Sequence, residues 1–360
     1  MLGEYKLMKE LFSGKKILVT GGTGSIGSEI VRQVLKYEPD VIRILSRDET
    51  KQFFLQEELR NYHNVRFLIG DVRDKDRLGT AMEDIDIVFH AAALKHVPSC
   101  EYNPFEAVET NIRGTQNVIL QAVKNNVEKV IAISTDKAVN PVNVMGATKL
   151  LAERLIASAQ FSTGKHPTRF ACVRFGNVIG SRGSALTLFQ EQIQRGGPVT
   201  ITDSNMTRFL MLIPQAVGLV FKAMTMMQGG DLFILKMPVA RLDDLAEAAI
   251  KEMAPLFGKP PSEIEIKKIG IRPGEKIHEE LMTSEEALRA QETKEMFIVE
   301  PSIMNPYVPY VPYIYTGAHP ALPQPYRSFE QEPIGIEKIR SMIQLSYHSD
   351  LIGCYTKTTQ

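Results

Sequence analysis

Short apolar runs alternate with longer amphipathic segments through the first half of the chain. The runs contain no Gly or Pro and lie at 16–20, 41–45, 66–69, 85–90, 129–133 and 170–174. Runs of this length and composition predict strands buried on both faces, as in a parallel sheet. The segments between them include helical patterns at 28–37, 105–126 and 148–156. Because strands that alternate with helices form parallel sheets, the pattern predicts an α/β fold, with a doubly wound parallel sheet and helices on both faces.

A glycine-rich loop joins the first predicted strand to the first predicted helix. It reads GGTGSIG over 21–27. Glycines in this context let the chain turn tightly and let a pyrophosphate approach the helix N-terminus. Since a strand precedes the loop and a helix follows it, the sequence predicts a Rossmann domain that binds a dinucleotide. The predicted cofactor contacts in this loop are Gly21, Thr23, Gly24, Ser25, Ile26 and Gly27.

Residues at the ends of the second and third predicted strands are candidates for selecting the cofactor. Ser46 and Arg47 stand where a NAD-preferring site usually has an acidic residue for the ribose hydroxyls. Because an Arg can form charge-assisted hydrogen bonds to a 2′-phosphate, we expect NADP, while Asp48 keeps NAD possible. A solvated turn with an incidental Arg is the alternative. After the third strand, Asp71 is expected to accept from the adenine amino group and Val72 to cover the adenine face.

Three alanines follow the fourth predicted strand and leave room for the backbone to lie against a flat cofactor. The predicted cofactor site therefore includes Ala91, Ala92 and Ala93. Lys95 and His96 could reach the cofactor phosphates or the substrate. Asn111, also assigned to the cofactor site, either props the strand ends or is a hydrogen-bonded core residue. No metal site is expected, because neither His90 nor His96 has a second ligand at helical spacing.

The stretch from 134 to 149, STDKAVNPVNVMGATK, carries the candidate chemistry. It follows the fifth predicted strand, and catalytic groups of open α/β sheets collect at the carboxyl ends of strands. Thr135, Asp136 and Lys137 offer a hydroxyl, a carboxylate and an amine side by side. Lys149 begins a predicted helix whose first turn faces back toward that strand end. The sequence therefore predicts a set of proton-transfer groups, with a strand-terminating ion pair of Asp136 and Lys137 as the alternative.

The rest of the chain predicts further elements around this domain. Apolar residues near helical spacing predict a docking helix at 1–13. The cofactor domain is expected at 14–180, with a returning segment near 207–240, and a smaller α/β substrate-binding domain at 181–206 and 241–300. The Pro- and Tyr-rich stretch 301–333 cannot form an ordinary helix. We expect it to be an extended arm within a final region, 301–360, that also contains a C-terminal helix.

Composition narrows the class of protein. The 42 basic and 42 acidic side chains give a formal net charge of +0, so nothing steers the chain non-specifically to nucleic acid or anionic lipid. The three cysteines are widely spaced and show no C-x-x-C, which is typical of thiols in a reducing compartment. No apolar run approaches the roughly 18 residues that cross a bilayer, and no signal-peptide core is found. We therefore expect a cytoplasmic protein without a membrane segment.

Together the motifs resemble those of the extended short-chain dehydrogenase/reductases, and within them the UDP-N-acetylglucosamine 4,6-dehydratases. The resemblance covers about residues 14 to 290. Its motifs are GGTGSIG at 21–27, AAALKHVP at 91–98, STDKAVNP at 134–141, RFGNVIGSRG at 174–183, MTR at 206–208 and RPGEKIHEEL at 272–281. The resemblance implies that Thr135, Asp136 and Lys137 act on C4, C5 and C6 of the hexose. It also implies that the UDP group is held by Asn177, Arg182, Arg208, Arg272 and Glu275.

One position departs from the superfamily pattern. Tyr normally stands four residues before the helix Lys, whereas this chain has Met145, whose thioether cannot exchange a proton at neutral pH. Members of the dehydratase family that retain the C5 configuration are similar in carrying Met here. Our hypothesis is an internal redox cycle in which hydride moves from C4 to the cofactor and then to C6. Asp136, helped by Thr135, would take the C4 hydroxyl proton, Lys137 would be the C5 base, and Lys149 would hold the nicotinamide ribose.

Two other functions stay open at this point. A UDP-sugar 4-epimerase of the same superfamily needs oxidation and re-reduction at C4 only, and the Lys137 amine argues for elimination instead. The second is a catalytically silent protein that senses NADP, which the intact Asp136–Lys137 pair opposes. The expected partners are UDP-N-acetylglucosamine and further copies of this chain, in a dimer or hexamer. The expected role is in bacterial surface glycan or rare-sugar synthesis.

Overall fold

A computed structural model describes residues 2–301 and 312–354. The strands are β1 (Lys16–Thr20), β2 (Val41–Ser46), β3 (Val65–Ile69), β4 (Ile87–His90), β5 (Lys129–Thr135), β6 (Arg169–Phe175), β7 (Asn177–Ile179), β8 (Val199–Ile201), β9 (Thr207–Leu212), β10 (Asp231–Leu235), β11 (Val239–Arg241), β12 (Ile266–Lys268), β13 (Glu280–Met282), β14 (Ala290–Glu292), β15 (Met296–Val299), β16 (His319–Pro320) and β17 (Tyr326–Arg327). The α-helices are α1 (Leu2–Phe12), α2 (Ser25–Val34), α3 (Glu49–Glu58), α4 (Lys75–Met82), α5 (Val97–Tyr102), α6 (Pro104–Ala107), α7 (Gly114–Lys124), α8 (Val144–Ala159), α9 (Ala185–Gln194), α10 (Ile213–Met226), α11 (Leu242–Met253), α12 (Ser284–Ala287) and α13 (Ile336–Cys354).

A ten-stranded sheet organises the first part of the molecule, in the order β16-β14-β15-β10-β6-β5-β4-β1-β2-β3. β1 is parallel to β2 and β4, β2 to β3, β4 to β5, and β6 to β10. β15 runs antiparallel to β10 and β14, and β16 runs antiparallel to β14. The predicted doubly wound parallel sheet is therefore confirmed, with an antiparallel extension that the sequence did not predict. The strand order reverses between β1 and β4, and ligands of such sheets bind beyond the carboxyl ends at that point.

The chain forms two compact units. The first comprises the chain up to Arg174, Val217–Lys236 and Met282–Pro325, and it contains the whole ten-stranded sheet. The second comprises Phe175–Ala216, Met237–Leu281 and the chain from Tyr326 onward. It contains two small sheets, β11-β9-β7 and β12-β8, and a core that includes apolar side chains of α9, α11 and α13. Residues 282–300, which we expected in the substrate-binding domain, fall in the first unit because β14 and β15 extend the large sheet.

Two predicted helices begin or end elsewhere in the structure. The helix that carries Lys149 begins at Val144 rather than near 148, because the Asn143 side chain caps it by accepting from the Gly146 N–H at 2.8 Å. Lys149 is therefore in the second turn. The helix expected at 105–126 is interrupted by a π-helical turn at Val108–Arg113. The helix expected at 28–37 begins earlier, as α2.

The predicted extended arm at 301–333 falls partly on residues 302–311, which lie outside the described residues. Its described part, from 312 onward, forms turns, the short strands β16 and β17 and a single 3₁₀ turn at Ser328–Glu330. The C-terminal helix α13 follows at Ile336–Cys354. Within 2–301 and 312–354, no helix combines the length and apolar character needed to cross a membrane.

Helix α1 packs on the first unit through an aromatic cluster. The Phe12 ring is fully buried, and its centroid lies 4.8 Å from that of Phe221, 5.8 Å from that of Tyr37 and 6.1 Å from that of Phe89. The opposite face of the helix carries Leu7, which is 45% exposed. The amphipathic pattern of the first residues thus places one aromatic anchor in the core.

Phe12→Ala should lower the free energy of unfolding by roughly 3–5 kcal/mol, because it removes a buried ring and leaves a cavity. Chemical denaturation of the full-length chain measures this loss. Leu7→Ala on the same helix is the control and should change the free energy by less than about 0.5 kcal/mol. Equal losses for the two variants would show that the Phe12 ring does not anchor the helix.

Candidate active site

The glycine loop brings backbone segments together so closely that side chains are excluded. Gly21 has φ +66°, and a Cβ on it would lie 2.7 Å from the Ala92 Cα. A Cβ on Gly27 would lie 2.4 Å from the Gly21 carbonyl oxygen. The N-cap of α2 is Gly24, which offers no capping side chain. Bare backbone at a helix N-terminus fits the pyrophosphate of a dinucleotide, so the residues of this loop fit the predicted cofactor.

The predicted cofactor-selecting residues form a charged cluster after β2 and β3. The Ser46 hydroxyl lies 2.7 Å from that of Thr23, on the glycine loop. Arg47 is about half exposed, and its Nη1 lies 3.3 Å from the Asp71 carboxylate. Asp71 also accepts from the Arg73 Nε and backbone N–H, both at 2.9 Å. Burial acts to raise the pKa of Asp71, but its Arg73 hydrogen bonds and the Arg47 charge outweigh burial and hold that pKa below its usual range.

The side chains after β3 and β4 differ in exposure. Val72 is buried in the core beside Leu78 and Val118. Ala91 and Ala92 are half-buried, whereas the side chains further along the loop are exposed, namely Ala93, Lys95 and His96. The exposed Lys95 and His96 side chains can therefore meet a ligand, and burial and the Lys95 charge lower the pKa of His96. Val72 belongs to the apolar core of the first unit, and its place against the adenine stays a prediction.

Asn111 ties the loop after β4 to the helix that carries Lys149. It lies in the π-helical turn and is 1% exposed. Its Oδ1 accepts from the Leu94 N–H at 2.8 Å, and its Nδ2 donates to the Leu94 carbonyl and the Thr148 hydroxyl, both at 3.0 Å. Asn111 is thus both a hydrogen-bonded core residue and a prop at the strand ends.

The three candidate catalytic side chains meet at the end of β5. The strand ends at Thr135, and a single 3₁₀ turn over Asp136–Ala138 follows it. The Asp136 side chain is 3% exposed and accepts from the Thr135 hydroxyl at 2.8 Å. Lys137 Nζ lies 3.1 and 3.0 Å from the two Asp136 carboxylate oxygens. The predicted ion pair is therefore present, and the Lys137 side chain, 30% exposed, remains open to solvent.

Lys149 reaches the same strand from α8. Its Nζ donates to the Ile133 carbonyl at 2.7 Å. Burial lowers the pKa of Lys149, whereas the groups Cys172 and Glu153 act to raise it. A buried amine fixed to the strand backbone is suited to hold a ligand hydroxyl at a defined place.

Met145 occupies the position of the superfamily's Tyr and is buried. It is 2% exposed and packs in an apolar cluster with Cys100 and Ala107. A thioether in this environment exchanges no proton, so acid–base chemistry at this end of the sheet falls to other side chains.

Two features of the first unit were not predicted. His90 is buried, with Nδ1 at 2.8 Å from the Thr20 hydroxyl and Nε2 at 3.1 Å from the Thr115 hydroxyl. Burial and the Lys149 charge lower the pKa of His90 to about 3, so it is neutral. The other feature is a buried ion network around Arg174. The sequence signal for both features is a polar residue at the end of an apolar run, since His90 ends the run at 85–90 and Arg174 ends the run at 170–174.

The residues expected to hold UDP lie in the second unit. Asn177 Nδ2 donates to the Glu279 carboxylate at 3.0 Å. Arg208 Nε lies 3.4 Å from Glu279, and its Nη2 lies 3.6 Å from Glu275. Arg182 and Arg272 are exposed on loops. Glu279, which is 5% exposed and was not predicted, therefore brings Asn177 and Arg208 together.

Comparison with known proteins agrees with this architecture. A family model described as "Polysaccharide biosynthesis protein" matches residues 17–301. "Uncharacterized membrane protein MJ1061" of Methanocaldococcus jannaschii is 60% identical over 294 residues, which are 82% of this chain and 88% of that protein. A "UDP-N-acetylglucosamine 4,6-dehydratase (inverting)" of Campylobacter jejuni is 45% identical over 295 residues, which are 81% of this chain and 85% of that enzyme.

A solved structure gives the same result for the fold. "X-ray structure of Pen from Bacillus thuringiensis" superposes with a TM-score of 0.86 at 48% identity, and the match covers 93% of this chain and 99% of that one. The resemblance drawn from the motifs is confirmed at the level of the family. The chain belongs to the polysaccharide biosynthesis protein family.

Proposed function

We propose that this protein is a nucleotide-sugar 4,6-dehydratase, which converts UDP-N-acetylglucosamine to a UDP-4-keto-6-deoxy-N-acetylhexosamine with loss of water. The observation that carries the proposal is the buried Asp136 carboxylate, held between the Thr135 hydroxyl and the Lys137 amine at the end of β5. Dehydration needs a base for the C4 hydroxyl, a base for the C5 proton and an acid for the leaving C6 hydroxyl. This cluster contains those groups. The name of the Campylobacter jejuni relative states the same reaction.

The ion pair passes protons in a fixed order. Asp136 takes the C4 hydroxyl proton and becomes neutral, so the Lys137 ammonium loses its counter-charge and releases a proton to solvent. Neutral Lys137 then removes the C5 proton, while Asp136 gives its proton to the C6 hydroxyl, which leaves as water. Lys137 finally returns a proton to C5 and is reprotonated by solvent. Each group ends in its starting state, and the substrate has lost one water.

The cofactor site of the first unit supports this reaction. A nicotinamide dinucleotide, when bound, accepts hydride from C4 and donates it to C6. The glycine loop and the first turn of α2 would hold its pyrophosphate, and Lys149 would bind its nicotinamide ribose. Arg47, about half exposed beside Asp71, would bind a 2′-phosphate, which makes NADP our proposed cofactor.

The residues that the family resemblance assigns to UDP binding lie in the second unit. Asn177 and Arg208 contact Glu279, and Arg208 also pairs with Glu275. Asn177, Arg208 and Glu275 would hold the UDP group, together with the exposed Arg182 and Arg272. In the first unit, Lys95 and His96 are exposed after β4 and would contact substrate or cofactor phosphates. Assembly into a dimer or hexamer stays a prediction, as does a role in surface glycan or rare-sugar synthesis.

The test is incubation of the purified protein with UDP-N-acetylglucosamine in deuterated water, followed by proton NMR and mass spectrometry. Loss of one water with deuterium at C5 is the expected result. A C4 epimer without water loss would replace the proposal by a 4-epimerase, and bound NADP with unchanged sugar would favour the sensor. A 2′-phosphate on the nucleotide released by denaturation would confirm NADP, and its absence would indicate NAD.

The same spectra report the configuration at C5. Family members that carry Met at the position of Met145 retain the configuration at C5, which favours retention here. The name of the Campylobacter jejuni relative specifies inversion. We propose retention for this chain. The vicinal coupling of the C5 proton, measured on product formed in ordinary water, distinguishes the two outcomes.

A further inference from the structure

A group of charged side chains is buried within the first unit, and it contacts Ser134, two residues before Asp136. Arg174 is 1% exposed and lies between Glu153 and Glu286. It donates to Glu153 through Nε at 3.0 Å and Nη2 at 2.6 Å, and to Glu286 through Nη1 at 3.0 Å and Nη2 at 2.9 Å. Both carboxylates are therefore bound in the two-pronged geometry of strong charge-assisted pairs.

Two features connect Glu153 with the candidate active site. Its Oε1 accepts from the Ser134 hydroxyl at 2.5 Å, and Ser134 directly precedes Thr135, the last residue of β5. Glu153 also stands four residues after Lys149 on α8, a spacing that places both on one face of the helix. One buried carboxylate is thus linked to the strand end and shares a helix face with the cofactor-facing lysine.

The charges around Lys149 single out Glu153. The titratable groups whose charges act on Lys149 are Glu153 on α8, Cys172 on β6 and His90 on β4. Burial raises the pKa of the Cys172 thiol, so it is neutral, and the low pKa of His90 makes it neutral as well. Of these three groups, Glu153, which is held in an ion pair with Arg174, is therefore the one placed to oppose the cost of burying the Lys149 charge.

We propose that Glu153 is a positioning residue of the dehydratase site, which fixes the strand end through Ser134 and keeps Lys149 protonated and bonded to Ile133. Glu153 itself contacts no reacting atom. The inference rests on the proposed function, because the strand end and Lys149 matter to the reaction only if this site performs it.

Glu153→Gln tests the proposal, because it keeps the shape of the side chain and its acceptor for Ser134 while removing the charge. We expect kcat to fall roughly 10- to 100-fold, with KM changed less than about threefold. The alkaline limb of the kcat profile should move to lower pH, because Lys149 loses its counter-charge. The Lys149 titration is followed without turnover by NMR of ¹⁵N-labelled lysine side chains, assigned with Lys149→Met.

Glu286→Gln is the matched control, because it removes the same charge from the far side of Arg174 and otherwise affects the cap of α12 at Thr283. Both variants should lower the melting temperature. Glu286→Gln should leave kcat within about threefold and should leave the Lys149 titration near that of wild type. If the two variants change kcat and the Lys149 titration equally, Glu153 only supports the fold. That outcome would overturn the proposal.

Two further outcomes are distinguished. If Glu153→Gln does not fold, Ser134→Ala removes only the linking hydroxyl and should lower kcat roughly tenfold without moving the Lys149 titration. Unchanged turnover of that variant would overturn the positioning role.

If wild-type protein dehydrates no UDP-sugar, the proposed function fails by itself. The NMR titration still decides whether Glu153 holds the Lys149 charge, and an unchanged titration in Glu153→Gln would refute that.

Discussion

Replacing Asp136 with Asn should lower kcat for UDP-N-acetylglucosamine by roughly 10²–10⁴-fold, the usual cost of losing a positioned acid or base. The amide has the size of the carboxylate and can still accept from the Thr135 hydroxyl. It cannot take the C4 hydroxyl proton, so oxidation of C4 stalls, and it cannot protonate the leaving C6 hydroxyl. Product formation measured by NMR gives kcat, and calorimetric titration gives the Kd for the UDP-sugar, which should change little.

An exposed ion pair at the opposite end of the sheet supplies the control. Asp84 precedes β4 and pairs with Lys16, the first residue of β1, at 2.8 Å. Asp84→Asn makes the same chemical change far from the carboxyl ends of the strands, and turnover should stay within about twofold of wild type. Asp136→Asn with turnover near wild type would remove Asp136 from the proton path. A loss confined to the Kd for UDP-sugar would make it a binding residue.

The central strands were predictable because short apolar runs without Gly or Pro indicate strands that are buried on both faces. The runs at 16–20 and 41–45 are short and apolar; β1 has the limits of the first run, and β2 extends the second by one residue. Strands β14 and β16 could not be predicted in this way. β14 is the tripeptide Ala290–Glu292 and β16 is a dipeptide, and neither has a repeating apolar pattern. They are strands because β15 and the rest of the large sheet offer them a hydrogen-bonding edge.

The candidate site was predictable where its residues are neighbours in the sequence. The glycine loop and the Thr135–Lys137 cluster are continuous motifs, so strand and helix patterns alone place them. Glu153 and Glu279 could not be found, because each is identified by partners that are distant in the chain. Asn177 lies 102 residues before Glu279. Helical spacing in the sequence does not identify the partner of Glu153, which is Arg174 on strand β6.

Lys137→Ala should lower turnover by a similar factor, roughly 10²–10⁴-fold, because it removes the base for C5. Unlike Asp136→Asn, this variant can be tested for rescue by an added amine, which would identify Lys137 as the C5 base. The Lys137 side chain is partly exposed, so small primary amines added to the buffer can enter the space left by truncation. Rescue should increase with pH, because the free amine is the active form.

The truncation should also affect Asp136, because a buried carboxylate without its cation is more easily protonated. The pKa of Asp136 is thus expected to rise, and the acidic limb of the kcat profile should move to higher pH, since the reaction needs the ionised form. Lys16→Ala, in the exposed pair with Asp84, should reproduce neither effect. Incorporation of solvent deuterium at C5 isolates the step. In Lys137→Ala, both the incorporation of deuterium at C5 and the elimination of water should be strongly reduced. Added amine should restore both. Undiminished C5 exchange in the variant would assign the base to another group and leave Lys137 as the counter-charge of Asp136.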